Sequence, residues 1–193
     1  MEPIPDVITH YPTTGIPPEG MATRLQALGF TVVIPQVRGS GSTAVKDKNS
    51  AELYAMALGK HLFSTRIYDL QRVIDYLKAE PQFEAMHLVV WAEGVREGLM
   101  GLYLAAIDQR VELAISSHGL VTYRDIVDKN GVPDFDWYVP GILRYADVPQ
   151  VIATVAPRSV LISAPVDITG SIVNDDRTKQ EYKWAESVYA ALE

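Results

Sequence analysis

What most constrains this 193-residue chain is its alternation of short β-branched runs with segments of helical period. Residues 6–11 (DVITHY) read as a strand leading into the turn-rich stretch 12–20. Residues 21–28 read as a helix closed by Gly29, which tolerates the positive φ of a helix end. Residues 30–35 (FTVVIP) form a strand of buried type that runs into the glycine-rich QVRGSGST. Residues 64–78 place Ile67, Leu70, Val73, Ile74 and Leu77 on one helical face. A strand at 87–92 and a helix at 97–107 follow, then strands at 112–117 and 158–164, and a closing helix at 179–192. Strands alternating with helices of about 10 to 15 residues predict a three-layer α/β/α fold around a mostly parallel sheet. No repeat, linker or low-complexity segment interrupts the pattern, so residues 1–193 are expected to form a single domain.

The composition narrows the function classes. A net charge of -7 argues against a nucleic-acid or anionic-membrane partner, since both need a basic face. The chain has no Cys, which excludes disulfides, thiolate metal sites and cysteine catalysis. No apolar run approaches the roughly 18 residues of a membrane span, and Met1-Glu2-Pro3 does not open a signal peptide, so a soluble protein of undefined compartment is expected. RGSGST is too short and lacks the Lys of a phosphate-binding loop, and no cofactor or metal is expected.

Several segments resemble the α/β-hydrolase superfamily, and bacterial acetyl xylan esterases and peptidase-like esterases in particular. GMATRLQALGFTVVIPQVRGSGST is similar to the helix and strand that lead into a D-x-R-G-x-G-x-S loop. LGKHLFSTRIYDLQRVIDYL resembles the helix that precedes the catalytic turn, and HLVVWAEGVREG (residues 87–98) has the layout of that turn, the nucleophile elbow. AAIDQRVELAISSHGLVTYRDIV and RYADVPQVIATVAPRSVLISAPVD resemble later strand-loop blocks. The resemblance implies an α/β-hydrolase fold, truncated at both ends, and carboxylic-ester hydrolysis by a Ser-His-acid triad. Fold alone does not carry function, so each position has to be checked.

The elbow presents Ser on a sharp strand-to-helix turn, with small residues two positions to either side because the two backbones pass close together. No Ser, Cys or Asp lies between His87 and Asp108. Centring the turn on Glu93 puts bulky Trp91 and Val95 at the flanks. Centring on Gly94 puts Ala92 and Arg96 there. A frame on Val95 has Glu93 and Glu97, although spacing to Asp108-Gln109-Arg110 favours it. Arg96 has the right flanks, Gly94 and Gly98, but a guanidinium cannot attack. Glu93 could replace Ser as a carboxylate nucleophile, yet its longer arm and Trp91 oppose this, and a solvated turn carboxylate is expected.

By resemblance, Asp167 takes the position of the acid that orients the catalytic His. The His itself is expected after a further strand, and no such segment precedes Glu193. His10 takes the oxyanion-loop position, where backbone N–H groups meet developing charge, but Pro12 has no N–H and the first Gly is Gly15. His61 lies ahead of the pre-elbow helix, and His87 opens a strand. His118 stands beside Ser116 and Ser117, but neighbours along a strand point to opposite faces, so these hydroxyls are expected to cap the next helix instead. In the loop Arg38-Gly39-Ser40-Gly41-Ser42, Gln36 replaces the usual Asp, which removes the expected ion-pair partner of Arg38. Asp134, Asp136 and Trp137 could face a cation or a sugar hydroxyl, with an aromatic-anchored loop as the plainer expectation.

Two functions follow. In the first, the chain is an esterase-like domain that has lost its catalytic machinery. In the second, it is an active carboxylic-ester hydrolase with a non-standard constellation. The expected ligand is an ester or carbohydrate ester. The expected partner is a second copy or another hydrolase domain, because open strand edges invite pairing.

Overall fold

The structure, a computed structural model, describes residues 6–10 (as backbone), 21–129, 134–137 and 139–192. Five strands, β1 (Asp6–His10), β2 (Val32–Val33), β3 (Leu88–Glu93), β4 (Val111–Ser117) and β5 (Ser159–Ser163), form one sheet in the order β2-β1-β3-β4-β5. Every pairing is parallel. The chain steps outward from β1 to β2 and then crosses back past β1 to reach β3. The strand order therefore reverses between β1 and β3. In open parallel sheets, such a reversal leaves a crevice beyond the C-terminal strand ends, where ligands bind.

Among the described residues, the helices around the sheet are α1 (Met21–Ala27), α2 (Lys48–Ala57), α3 (Leu62–Ala79), α4 (Val95–Ile107), α5 (Arg124–Asp128), α6 (Val148–Ala153) and α7 (Asp175–Ala190). The main core lies on one face. There Leu70 and Ile74 of α3, Leu99, Leu102 and Leu104 of α4, and Val151 and Ile152 of α6 pack with Val90 and Ala114 of the sheet. On the other face Leu25 of α1 packs against Val89, with Val32, Trp91, Leu113 and Ile115 partly buried around them. The expected α/β architecture with helices on both faces is what forms, although the second face carries the thinner layer among the described residues.

Where the elements differ from expectation, the causes are local. The strand expected over 30–35 is only Val32–Val33, because those two residues alone find partners on β1 and Pro35 has no N–H to contribute. Helix α7 starts at Asp175 and not at residue 179. Asn174 caps it by accepting from the Arg177 N–H at 2.9 Å, and Asp175 and Asp176 sit favourably in its first turn. Helices α2, α5 and α6 were not expected. Helix α6 is buried nearly all round and so shows no periodicity; its start is fixed by the reciprocal Asp147–Gln150 capping box.

Helix α4 comes close to the sheet through its glycines. A Cβ on Gly98 would stand 2.6 Å from Ser116 Oγ and 2.9 Å from the Gly119 Cα. A Cβ on Gly101 would stand 2.9 Å from the Ala92 Cβ. The small residues that let strand and helix pass are therefore Ala92, Gly98, Gly101 and Gly119.

Candidate functional site at the C-terminal strand ends

The parallel register brings the ends of β1, β3 and β4 together: His10 pairs with Ala92, and Glu93 pairs with Ser117. His10 thus ends β1 beside the elbow strand. Its side chain, with Tyr11 and Pro12, lies outside the described residues, and so does the expected oxyanion loop.

The strand-to-helix turn is sharp at one residue. Gly94 has φ +100, while Val95 already begins α4. That left-handed conformation is strained for any L side chain. The turn is closed by the Gly94 N–H donating to the Ser117 carbonyl at 2.8 Å and the Gly98 N–H donating to the Gly94 carbonyl at 2.8 Å. Val95 is a first-turn residue packed against the core. Arg96, two positions beyond Gly94, is buried and ion-paired with its buried neighbour Glu97, its Nε donating to Oε1 at 2.9 Å.

Glu93 is not the solvated turn carboxylate that the sequence suggests. Its side chain is 30% exposed, and its Oε1 lies 2.5 Å from His118 Nδ1. Ser117 Oγ lies 3.2 Å from the same nitrogen. The expectation that Ser117 and His118 point apart fails because His118 stands just beyond β4 with φ +53, which swings its ring back over the strand end. The geometry still does not make a relay. A carboxylate only accepts, so Nδ1 keeps its proton and donates a hydrogen bond to Glu93. Ser117 can share that N–H but cannot transfer its own proton to an occupied nitrogen. A Ser-His-acid relay needs the two ring nitrogens to serve different partners, whereas here both partners meet one.

The capping role expected of Ser116 and Ser117 is not what forms. Ser116 Oγ is wedged between Gly98 and Gly119. The Tyr123 N–H at the start of α5 donates instead to Asp147 Oδ1 at 2.6 Å, and Thr122 Oγ1 accepts from the Arg124 N–H at 3.1 Å.

Asp167 follows β5 and is buried. Oδ1 accepts from the Thr169 N–H (2.8 Å), the Thr169 hydroxyl (2.6 Å) and the Ser171 N–H (3.1 Å), and Oδ2 accepts from Lys129 Nζ (2.6 Å). Burial works against the charge, but Lys129 and these donors outweigh it and hold the carboxyl well below the usual carboxylate range. No histidine reaches Asp167 among the described residues. The Lys129 partnership had no signal in the sequence, since it joins a helix end to a loop far along the chain.

The loop after β2 is structural. Arg38 is not left unpaired by Gln36: Asp69 of α3 receives its Nε at 2.8 Å and its Nη2 as well, and this pairing lowers the Asp69 carboxyl despite partial burial. Gln36 accepts from the Ser42 hydroxyl at 3.2 Å, and buried Ser40 donates to the Val37 carbonyl at 2.6 Å, so both hydroxyls tie the loop to itself. Buried Arg66 donates to the Arg38 carbonyl at 3.0 Å. His61 meets the buried Glu52 at 3.2 Å, and His87 meets Glu112 at 2.6 Å at the N-terminal ends of β3 and β4. Trp137 is buried and stacked on Tyr123 with centroids 6.4 Å apart, the aromatic anchor of its loop. The Asp136 side chain lies outside the described residues. Among the described residues, no group of His, Cys, Asp or Glu has the arrangement of a metal site. No helix among them is long and apolar enough to cross a membrane.

No family model matches the chain, and no curated protein does. Solved structures do. A candidate acetyl xylan esterase from Bacteroides fragilis NCTC 9343 superposes with a TM-score of 0.74 at 14% identity, covering 97% of this chain and 57% of that one. Acetyl xylan esterase 1 from Thermoanaerobacterium sp. JW/SL YS485 gives a TM-score of 0.61 at 14% identity, covering 97% and 75%. A CE15 glucuronoyl esterase from Teredinibacter turnerae T7901 gives 0.60 at 16% identity, covering 98% and 56%. The chain therefore has the α/β-hydrolase-like fold of these esterases and spans between 56 and 75% of their lengths. At such identities the likeness is one of fold.

Proposed function

We propose that the chain is an esterase-fold domain in which the serine route to ester cleavage is closed, while the strand-to-helix turn survives as a structural joint. The observation that carries this reading is Gly94. It holds the strained position at which a serine would be presented, and no Ser, Cys or Asp occurs between His87 and Asp108. Glu93 precedes that position and is bound to His118, and Val95 and Arg96 follow it inside the helix. Asp167 adds support, since its carboxylate is held by Lys129 and Thr169. The neighbours' names make a carbohydrate ester the ligand class that such a domain would face.

The test is incubation of the purified chain with p-nitrophenyl acetate and a fluorophosphonate probe. We expect no burst of p-nitrophenol and no labelled serine. Gly94→Ser should leave both results unchanged, because Asp167 is held by Lys129 and Thr169 and reaches no histidine among the described residues, so a serine there completes no triad. A stoichiometric label on any serine, lost when that serine becomes alanine, would overturn the reading.

A further inference from the structure

The described residues hold three His–Glu pairs, His61–Glu52, His87–Glu112 and His118–Glu93, of which the last two lie at opposite ends of the central strands β3 and β4. His87 and Glu112 lie at the N-terminal strand ends, with side chains 46 and 51% exposed. Glu93 and His118 lie at the C-terminal ends beside the strand-order reversal, and Glu93 is more enclosed, at 30%. Only His118 has a left-handed backbone, an unfavourable conformation that the surrounding structure has to maintain. It is maintained by the His118 N–H donating to the Ser163 carbonyl at 2.9 Å and by the Nδ1 contacts to Glu93 and Ser117.

We propose that Glu93 and His118 form a water-activating dyad for a small acyl ester, one strand away from the elbow. Glu93 is the positioning residue. Its carboxylate accepts a hydrogen bond from Nδ1–H and so leaves the Nε2 lone pair available, the arrangement by which a carboxylate sets the tautomer of a basic histidine. Nε2 has no protein partner among the described residues, and the His118 side chain is 46% exposed. Side chains two apart on a strand share a face, so Glu93 and Ser117 stand on the same face as Trp91 and Ile115, which pack with Leu25 of α1 and anchor the strand ends that carry the pair.

The step balances with water alone. Nε2 takes one proton from water as its oxygen bonds to the acyl carbon. The carbonyl π pair moves to the carbonyl oxygen and returns as the bond to the leaving oxygen breaks. The leaving oxygen then takes the Nε2 proton, giving carboxylic acid and alcohol and restoring neutral imidazole. The inference rests on the proposed reading in one respect: with no nucleophile at the elbow, the attacking oxygen has to be that of water.

The experiment uses the full chain, p-nitrophenyl acetate and the fluorophosphonate probe. We expect multiple turnover above buffer without label or burst. His118→Asn, which suits the left-handed backbone, should lower kcat by about 100-fold or more, the usual scale of a general base. Glu93→Gln should lower kcat with KM unchanged. In 15N-histidine spectra the variant should keep the Nδ1–H tautomer, because the Gln amide oxygen still accepts that N–H, so the fall in kcat reports the lost carboxylate charge on a correctly oriented ring. His87→Gln should retain full turnover. Wild-type turnover no faster than buffer, or turnover undiminished in a folded His118→Asn, would overturn the dyad while leaving the closed serine route intact. A labelled, burst-forming chain would overturn the closed serine route instead.

Discussion

At the residue scale, the glycines differ in what they tolerate. A Cβ on Gly98 would overlap Ser116 Oγ and the Gly119 backbone, neither of which can swing away. Gly98→Ala should therefore cost about 1–3 kcal/mol, as overpacking does, read as a lower midpoint in urea unfolding. Gly59 also has positive φ but meets nothing within 4 Å, so Gly59→Ala should show only the backbone penalty of about 1–2 kcal/mol. Asp167 gives a pH prediction. Its folded carboxyl titrates below the unfolded one, so its stabilisation is present above the ordinary carboxylate range and is lost as pH falls through and below it. Asp167→Asn should flatten the acid limb of a plot of melting temperature against pH and leave its neutral part destabilised. Little of this residue-level detail was legible in the sequence. The absence of a nucleophile between His87 and Asp108 can be read directly, but the pairing of Glu93 with His118 depends on strand register and on one residue with φ +53. The same holds for Lys129 with Asp167 and for Asp69 with Arg38, pairs that residue order does not encode.

At the scale of elements, what could be read was whatever had a period. Helix α3 and the strands β3, β4 and β5 fall within a residue or two of expectation, because each carries an apolar face or a β-branched run of sufficient length. Helix α2 escaped because its large apolar residues Leu53, Tyr54 and Leu58 are exposed and form no inward stripe. What α2 contributes is polar. Its Glu52, fully buried, accepts the Leu62 N–H at 2.9 Å and so caps α3 from another helix. Glu52→Ala should remove that acceptor and leave buried donors unmet, costing about 1–3 kcal/mol. The expected readout is a lower melting temperature, with amide exchange accelerated in the first turn of α3.

At the scale of the molecule, β5 ends the sheet with no strand on its outer side among the described residues, and Leu161 there is 53% exposed. SVLIS carries no charge that would blunt an edge. A cleft of about 460 Å³ opens next to it, lined by Val160, Ile162, Tyr182 and Tyr189. We expect concentration-dependent self-association in light scattering, abolished by Leu161→Lys. A monomer at all concentrations would count against this use of the edge. The α/β class and the succession of the five strands with α1, α3, α4 and α7 were legible because each carries an apolar period or a β-branched run, whereas α2, α5 and α6 were not. The spatial order β2-β1-β3-β4-β5 was not, since nothing in the spacing of the runs says which strand lies beside which.

That spatial order also bears on how the chain reaches its native state. Strands β3 and β4 are joined through α4 alone, and the glycines of that helix seat it directly on both strands. Strand β1, by contrast, has to find Leu88 from Asp6, across α1, β2, α2 and α3, and insert between neighbours from opposite ends of that interval. Closing so long a loop is unfavourable until other contacts reward it. The β3-α4-β4 unit is thus the natural nucleus, and β1 is a late arrival. Leu102→Ala should slow refolding in proportion to the stability that it removes, whereas Leu25→Ala should leave the refolding rate nearly unchanged and speed unfolding.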